Sequence, residues 1–198
     1  MNVYLGTHYA RPSASSTDIF KNLTENITRF KEKGEVIING DFNARTGKEN
    51  ETIPPDKYHS DISMGDKKNY PKRNSQDKTV NKRGEELIDI CKALELLIAN
   101  GRKIGDPFGD YTCLKWNGNS IVDYLITSKN IYEKIPIFKV GSFSPTLSDH
   151  CPLLYTLEIT QKTKEKHDET NLKNAPRNFI WNNNETTKFL SNLKSDTN

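Results

Sequence analysis

The stretch Val36-Ile37-Ile38-Asn39-Gly40-Asp41-Phe42-Asn43-Ala44-Arg45-Thr46-Gly47 limits the fold more than any other part of the chain. Three β-branched apolar residues in succession ask for a buried strand, and Gly40 reads as its end. If the backbone stays extended, Asp41 and Asn43, two apart, project to one side while Phe42 points to the other. A carboxylate and a carboxamide then stand together at the rim of a sheet. Such rims, just beyond the carboxyl ends of strands, are where α/β sheets bind ligands. An Asp/Asn turn that only closes the strand explains the same residues. The rest of the chain has to decide.

Around this stretch the sequence alternates between strand and helix patterns. Residues 1–9 are rich in aromatic and β-branched types and read as a strand ended by Arg11-Pro12. Thr17 or Asp18 is placed to cap a helix in which Ile19, Phe20, Leu23, Ile27 and Phe30 recur at helical spacing until Gly34. Strand, helix, strand is the grammar of an α/β layer fold. Asn81 can cap a second helix with Leu87, Ile88, Cys91 and Leu94 on one face, passing into a strand over residues 96–100. Further strands are expected at residues 111–116, 120–127, 139–143 and 151–159, with Asn117-Gly118-Asn119 as a hairpin turn.

The length of 198 residues suits one domain with a tail. The hydrophobic share of 33% is low, and the deficit lies in two polar stretches, residues 46–81 and 161–198. We therefore expect one folded unit over residues 1–160 carrying a long polar loop, followed by a linker and a weak helix around Trp181. The formal charge is only +3, but residues 66–83 hold seven Lys/Arg against two Asp. Lys67, Lys68, Lys72 and Arg73 in this segment are candidates to lie along phosphates, although a solvated charge run reads the same way. Three cysteines at unpaired spacing fit reduced thiols rather than a disulfide framework. No leader-like opening and no apolar run of about 18 residues is present, so an intracellular protein without a membrane partner is expected.

Two further polar clusters interrupt strand-like runs. Asp123 lies within Ile121-Val122-Asp123-Tyr124-Leu125-Ile126, where a buried carboxylate requires a donor or cationic partner. Asp149-His150 opens the last strand. Each has a plain structural explanation, as a salt-bridged core residue or as a strand cap. Together with Asp41 and Asn43 they supply the parts of a metal-assisted phosphodiester hydrolase. Such an enzyme needs a carboxylate for a hard cation, a base for water, donors for phosphoryl oxygens, and a histidine held by a carboxylate.

Gly40-Asp41-Phe42-Asn43, Ile121-Val122-Asp123-Tyr124 and Ser148-Asp149-His150, in that order, resemble the endonuclease/exonuclease/phosphatase superfamily. The wording GDFNARTG, YTCLKWNGNSIVDYLI and SDHCPL resembles the apurinic-like endonuclease domain of non-LTR retrotransposons, over about residues 3–159. The resemblance implies a Mg²⁺-dependent (or Mn²⁺-dependent) DNA endonuclease. Asp41 is then the group that positions or deprotonates water, Asn43 a phosphate ligand, and His150 the stabiliser of the phosphorane with Asp123 behind it. Asp149 falls at the metal and Thr112 near the DNA. Tyr9, in Tyr-Ala-Arg-Pro, matches the family's active-site tyrosine, with its proline one residue later than usual. Packing is the first expectation for Trp116, and contact with a nucleotide the second.

The resemblance also implies a four-layered α/β sandwich of which this chain matches only the carboxyl-terminal half, a mixed sheet with flanking helices. The family's principal metal-binding glutamate belongs to the other half. Glu25, Glu32 and Glu35 lie in or beside the first helix and match no such motif. A fragment with little or no activity of its own is therefore expected, nuclear if functional, with a reverse transcriptase segment beyond it. The alternatives are a non-catalytic nucleic-acid-binding remnant that uses the basic segment, and a phosphatase of the same superfamily.

Overall fold

The computed structural model describes residues 2–13, 16–52 and 70–159. Lys67, Lys68 and the segment around Trp181 lie outside the described residues. The described residues belong to the unit Met1–Ile159.

In chain order the elements are β1 (Val3–Tyr9), α1 (Ser16–Lys31), β2 (Glu35–Asp41), α2 (Lys82–Ala93), β3 (Leu96–Ile98), β4 (Cys113–Lys115), β5 (Gly118–Ser120), β6 (Asp123–Ser128), α3 (Lys129–Glu133), β7 (Phe138–Val140) and β8 (Leu153–Tyr155). Four strands form a mixed sheet in the order β1-β2-β6-β3. β1 runs parallel to β2, as a strand–helix–strand unit requires, while β6 pairs antiparallel with both β2 and β3. β2 and β6 carry apolar residues on both faces because the sheet is covered on both sides. On one face Phe20, Leu23 and Ile27 of α1 and Leu87, Ile88 and Cys91 of α2 pack on Val36, Ile38, Leu96, Tyr124 and Ile126. On the other, Ile131 and Tyr132 of α3 and Phe138 and Val140 of β7 pack on Ile37, Leu97 and Leu125. No described helix is long and apolar enough to cross a membrane.

Two local expectations need correction. β2 does not stop at Gly40: the strand continues to Asp41, with Gly40 at φ 137° lying against the backbone of His8. The strand expected over residues 120–127 is divided at Ile121-Val122. There the backbone N–H groups donate to side chains instead of a ladder: Ile121 to Asp77 Oδ2 (3.1 Å), and Val122 to Thr112 Oγ1 (3.1 Å). Asn81 does cap α2, its side chain accepting from Gly84 N at 2.8 Å.

Candidate active site

The register of the sheet assembles the site. Tyr9 of β1 pairs with Asp41 of β2, and Asp41 pairs with Asp123 of β6. In-register neighbours project to the same face, so these three residues form a row across the sheet's end. Asp41 is also the first residue of an Asx turn: its Oδ1 accepts from Asn43 N (2.8 Å) and its Oδ2 from Asn43 Nδ2 (3.3 Å). Asn43 adopts φ 46°, a left-handed conformation that Asn tolerates, and Nδ2 also donates to Ala10 O at 2.6 Å. The turn and the site are therefore one arrangement. Asn43 pins the carboxylate of Asp41 and ties it to the residue after Tyr9.

Asp123 is 8% exposed and held from several sides. Its backbone N–H donates to Thr112 Oγ1 at 3.1 Å, and Asn100 Nδ2 donates to its carbonyl at 3.1 Å. Both carboxylate oxygens face His150 Nδ1, at 3.1 and 2.9 Å. An imidazole nitrogen held between two carboxylate oxygens carries the proton, which leaves Nε2 facing outward. Burial pushes the Asp123 carboxyl above its ordinary pKa, the nearby charge of Asp41 adds to this, and the bonds from Thr112 and His150 oppose it.

His150 is delivered by a three-way junction. The hairpin β4–β5 lies beside residues 149–151 through Leu114 N to Asp149 O (2.8 Å) and Cys151 N to Thr112 O (2.7 Å), with Cys113 and His150 bridged. The same junction sets Lys115 Nζ 3.1 Å from Asp149 Oδ2, and the hydrogen bond from Lys115 holds the Asp149 carboxyl below its ordinary pKa. His150 Nε2 lies 3.9 Å from Asp149 Oδ1. The result is a line of ionisable groups, Asp41, Asp123, His150, Asp149 and Lys115. Beyond Asp123 the line opens to solvent: the His150 side chain is 28% exposed and that of Asp149 50%.

Other residues expected at the site are placed differently. Thr112, expected near DNA, is fully buried, because its hydroxyl accepts from the backbone of Val122 and Asp123; it positions Asp123 from within. Arg73 is also buried rather than laid along a phosphate-facing loop. Its guanidinium donates to Thr46 Oγ1 and Glu49 O, both at 2.8 Å. Lys72 beside it is exposed. Trp116 does not pack: it forms the tip of the β4–β5 hairpin with Asn117 and is 98% exposed. Tyr9 stands in the row but is 66% exposed.

A supporting residue that sequence reading missed is Asp77. Nearly buried, it accepts from Arg45 Nε (2.8 Å) and Nη2 (2.7 Å), Thr79 N (3.0 Å) and Ile121 N (3.1 Å). It thus joins the segment after Asn43 to the segment before Asp123. Burial alone would raise its pKa, but these bonds together hold it below the ordinary value. The only sequence signal was an acid within a basic run.

The profile of the endonuclease–reverse transcriptase family matches residues 3–154. Comparison with curated proteins returned no match. Among solved structures, the endonuclease domain of TRAS1, a telomere-specific non-LTR retrotransposon, superposes with a TM-score of 0.53 at 17% identity, covering 78% of this chain and 57% of that domain. The 3′ phosphatase NExo from Neisseria, in a structure with a product DNA hairpin, gives 0.49 at 15% identity, covering 72% of this chain and 53% of its own. The 3′-5′ exonuclease NExo from Neisseria meningitidis gives 0.48 at 16%, with the same coverages of 72% and 53%. The chain thus spans little more than half the length of these proteins. With its mixed sheet, flanking helices and strand-end polar row, the chain belongs to the endonuclease–reverse transcriptase family of the endonuclease/exonuclease/phosphatase superfamily.

Proposed function

We propose that the polar row is part of a phosphodiester-hydrolysing centre that acts on DNA. The observation that carries this reading is the Asp123–His150 pair at 2.9 Å with Nε2 directed outward beside Asp149. Asp123 holds Nδ1 and turns Nε2 outward, so that in its protonated form the ring donates from Nε2–H to a phosphoryl oxygen as negative charge builds there. Asp41, held by Asn43, orients a water and accepts its proton. Lys115 adds a positive charge at the same rim.

The family's chemistry uses a divalent metal, and the residues here fit one weakly. Mg²⁺ binds through one or two carboxylates, waters and substrate phosphate oxygens, and Asp149 offers a half-exposed carboxylate beside His150. A bound cation would neutralise charge on the phosphate. The donor group gathered around Asp149 among the described residues is completed by His150 and Cys113 rather than by a second carboxylate. Weak retention of Mg²⁺ or Mn²⁺, and slow turnover by this polypeptide alone, follow from that set. A nuclear site of action and a reverse transcriptase segment in the parent polypeptide belong to the same proposal.

Nicking of supercoiled plasmid in millimolar Mn²⁺ tests the reading. Slow, chelator-sensitive nicking is expected, reduced by about 10²-fold or more in His150→Ala. Nicking that His150→Ala leaves unchanged, or none at saturating Mn²⁺, overturns the hydrolytic role. Of the basic segment that the binding-only alternative uses, Arg73 is buried and Arg83 donates to Arg11 O and Pro12 O at 3.0 and 3.2 Å, whereas Lys72 is exposed.

A further inference from the structure

We propose that Cys113, Asp149 and His150 form a binding site for a thiophilic divalent cation such as Zn²⁺. One ligand atom from each of these residues, a thiol sulfur, a carboxylate oxygen and an imidazole nitrogen, lies within 4.8 Å of the other two. Ligand atoms of a tetrahedral zinc site stand roughly 3.5 Å apart, given Zn–S and Zn–N distances of about 2.3 and 2.0 Å. Closing the difference takes a side-chain adjustment, and Asp149, half exposed, can supply it.

The chemistry of the donors favours a soft cation. Mg²⁺ avoids thiolates, whereas Cys, His and a carboxylate together with one water form a zinc ligand set. The hydrogen bonding of His150 already suits a metal. Its Nδ1 is bound to Asp123 at 2.9 Å, so Nε2 is the free donor, and a carboxylate behind the ligating histidine orients the ring and raises its basicity. The backbone fixes the spacing: Cys113 and His150 are bridged on adjacent segments, and Leu114 N holds Asp149 O at 2.8 Å.

Two features oppose binding and define its course. Lys115 Nζ sits 3.1 Å from Asp149 and has to leave, which its half-exposed, flexible side chain permits. Burial keeps the Cys113 thiol protonated above its ordinary range, with Asp149 and Asp123 adding to this and Lys115 opposing it. Coordination therefore releases the Sγ proton to solvent as the S–metal bond forms, together with the Nε2 proton wherever the His150 ring carries one. The bound cation then holds Nε2 of His150, so on the hydrolytic reading above the site is inhibitory.

Cobalt(II) titration of the full chain is the test, since Co²⁺ takes zinc geometry and gives a thiolate-to-metal charge-transfer band. A band saturating at one equivalent is expected, displaced by Zn²⁺ but not by excess Mg²⁺. Cys113→Ser should abolish it, Cys151→Ser should leave it, and Asp149→Asn, at an exposed position, should weaken cobalt affinity by about 10-fold or more. No band, a band that survives Cys113→Ser, or one lost with Cys151→Ser overturns the site. If Cys113→Ser does not fold, unchanged cobalt affinity in both Asp149→Asn and His150→Gln overturns it equally. These spectra need no nuclease activity, so a chain that fails to nick DNA still answers the question. Where nicking is present, Zn²⁺ should suppress it in the wild type and not in Cys113→Ser.

Discussion

Asp123 holds its charge in a place that favours the neutral form, with burial on one side and Asp41 in register on the other. Its pKa in the folded chain lies above that of an unfolded carboxylate. Its contribution to stability is therefore complete below about pH 3.9 and is lost as pH rises through the folded-state value. Asp123→Asn removes that dependence. Urea unfolding should show the variant more stable than the wild type at pH 7, the gap narrowing towards pH 4, while nicking falls by about 10²-fold or more because His150 loses the carboxylate that orients its ring. A variant less stable than wild type at pH 7 contradicts this account. Asp41, Asn43, Asp123 and His150 were legible in the sequence because each sets a polar group against an apolar strand. Thr112 was expected near the DNA from the family resemblance alone, whereas Arg73 and Asp77 were misread or missed for a shared reason: polar residues in irregular segments read as solvent-facing. Here such segments are packed against the sheet, and their side chains satisfy buried backbone groups that no ladder reaches.

Among the elements, β2 shows most clearly what periodicity conveys and what it hides. The three apolar residues predicted its buried part, and all of Val36, Ile37 and Ile38 are buried. Gly40 gave a turn signal, yet it stays in the sheet, since its role is steric. A Cβ at Gly40 would lie 2.0 Å from His8 O, and its φ of 137° disfavours any side chain. Gly40→Ala should therefore cost about 3 kcal/mol in urea denaturation, shared between backbone strain and separation of β1 from β2. A loss under about 0.5 kcal/mol, the scale of a neutral surface substitution, would show that β1 yields easily. The hairpin was legible from Asn117-Gly118, though the strand pairing Lys115 with Gly118 moves the turn to Trp116-Asn117. Helix α3, five residues from Lys129 to Glu133, is too short to show a period and was not foreseen.

At the scale of the molecule, the α/β class followed from strand–helix alternation, and the meeting of three distant motifs from what their resemblance to the superfamily implied. Which basic residues face solvent did not. Lys72 is exposed where Arg73 is buried, so the two make opposite predictions for DNA binding. Lys72→Ala should lower the salt slope of DNA affinity by about one, and Arg73→Ala should lower stability while leaving that slope alone. A slope changed by Arg73→Ala in a folded protein would place its guanidinium on the DNA. The same measurement separates general charge from a built interface, since only contacts to phosphate release counterions.

The fully exposed indole at the hairpin tip gives the protein a built-in optical probe. Trp116 belongs to the two-residue turn that follows Lys115, whose ammonium lies 3.1 Å from Asp149. The sequence contains only two tryptophans, so Trp181→Phe leaves Trp116 as the sole indole, excited apart from the tyrosines at the red edge of the absorption band. Its fluorescence should be that of a water-exposed indole, red-shifted and freely quenched by iodide. Duplex DNA seated on the active-site rim should shield it, and quenching that DNA leaves unaltered would mean that the hairpin tip points away from the bound strand. The residue that contributes least to the core thus reports most directly on what arrives at the surface.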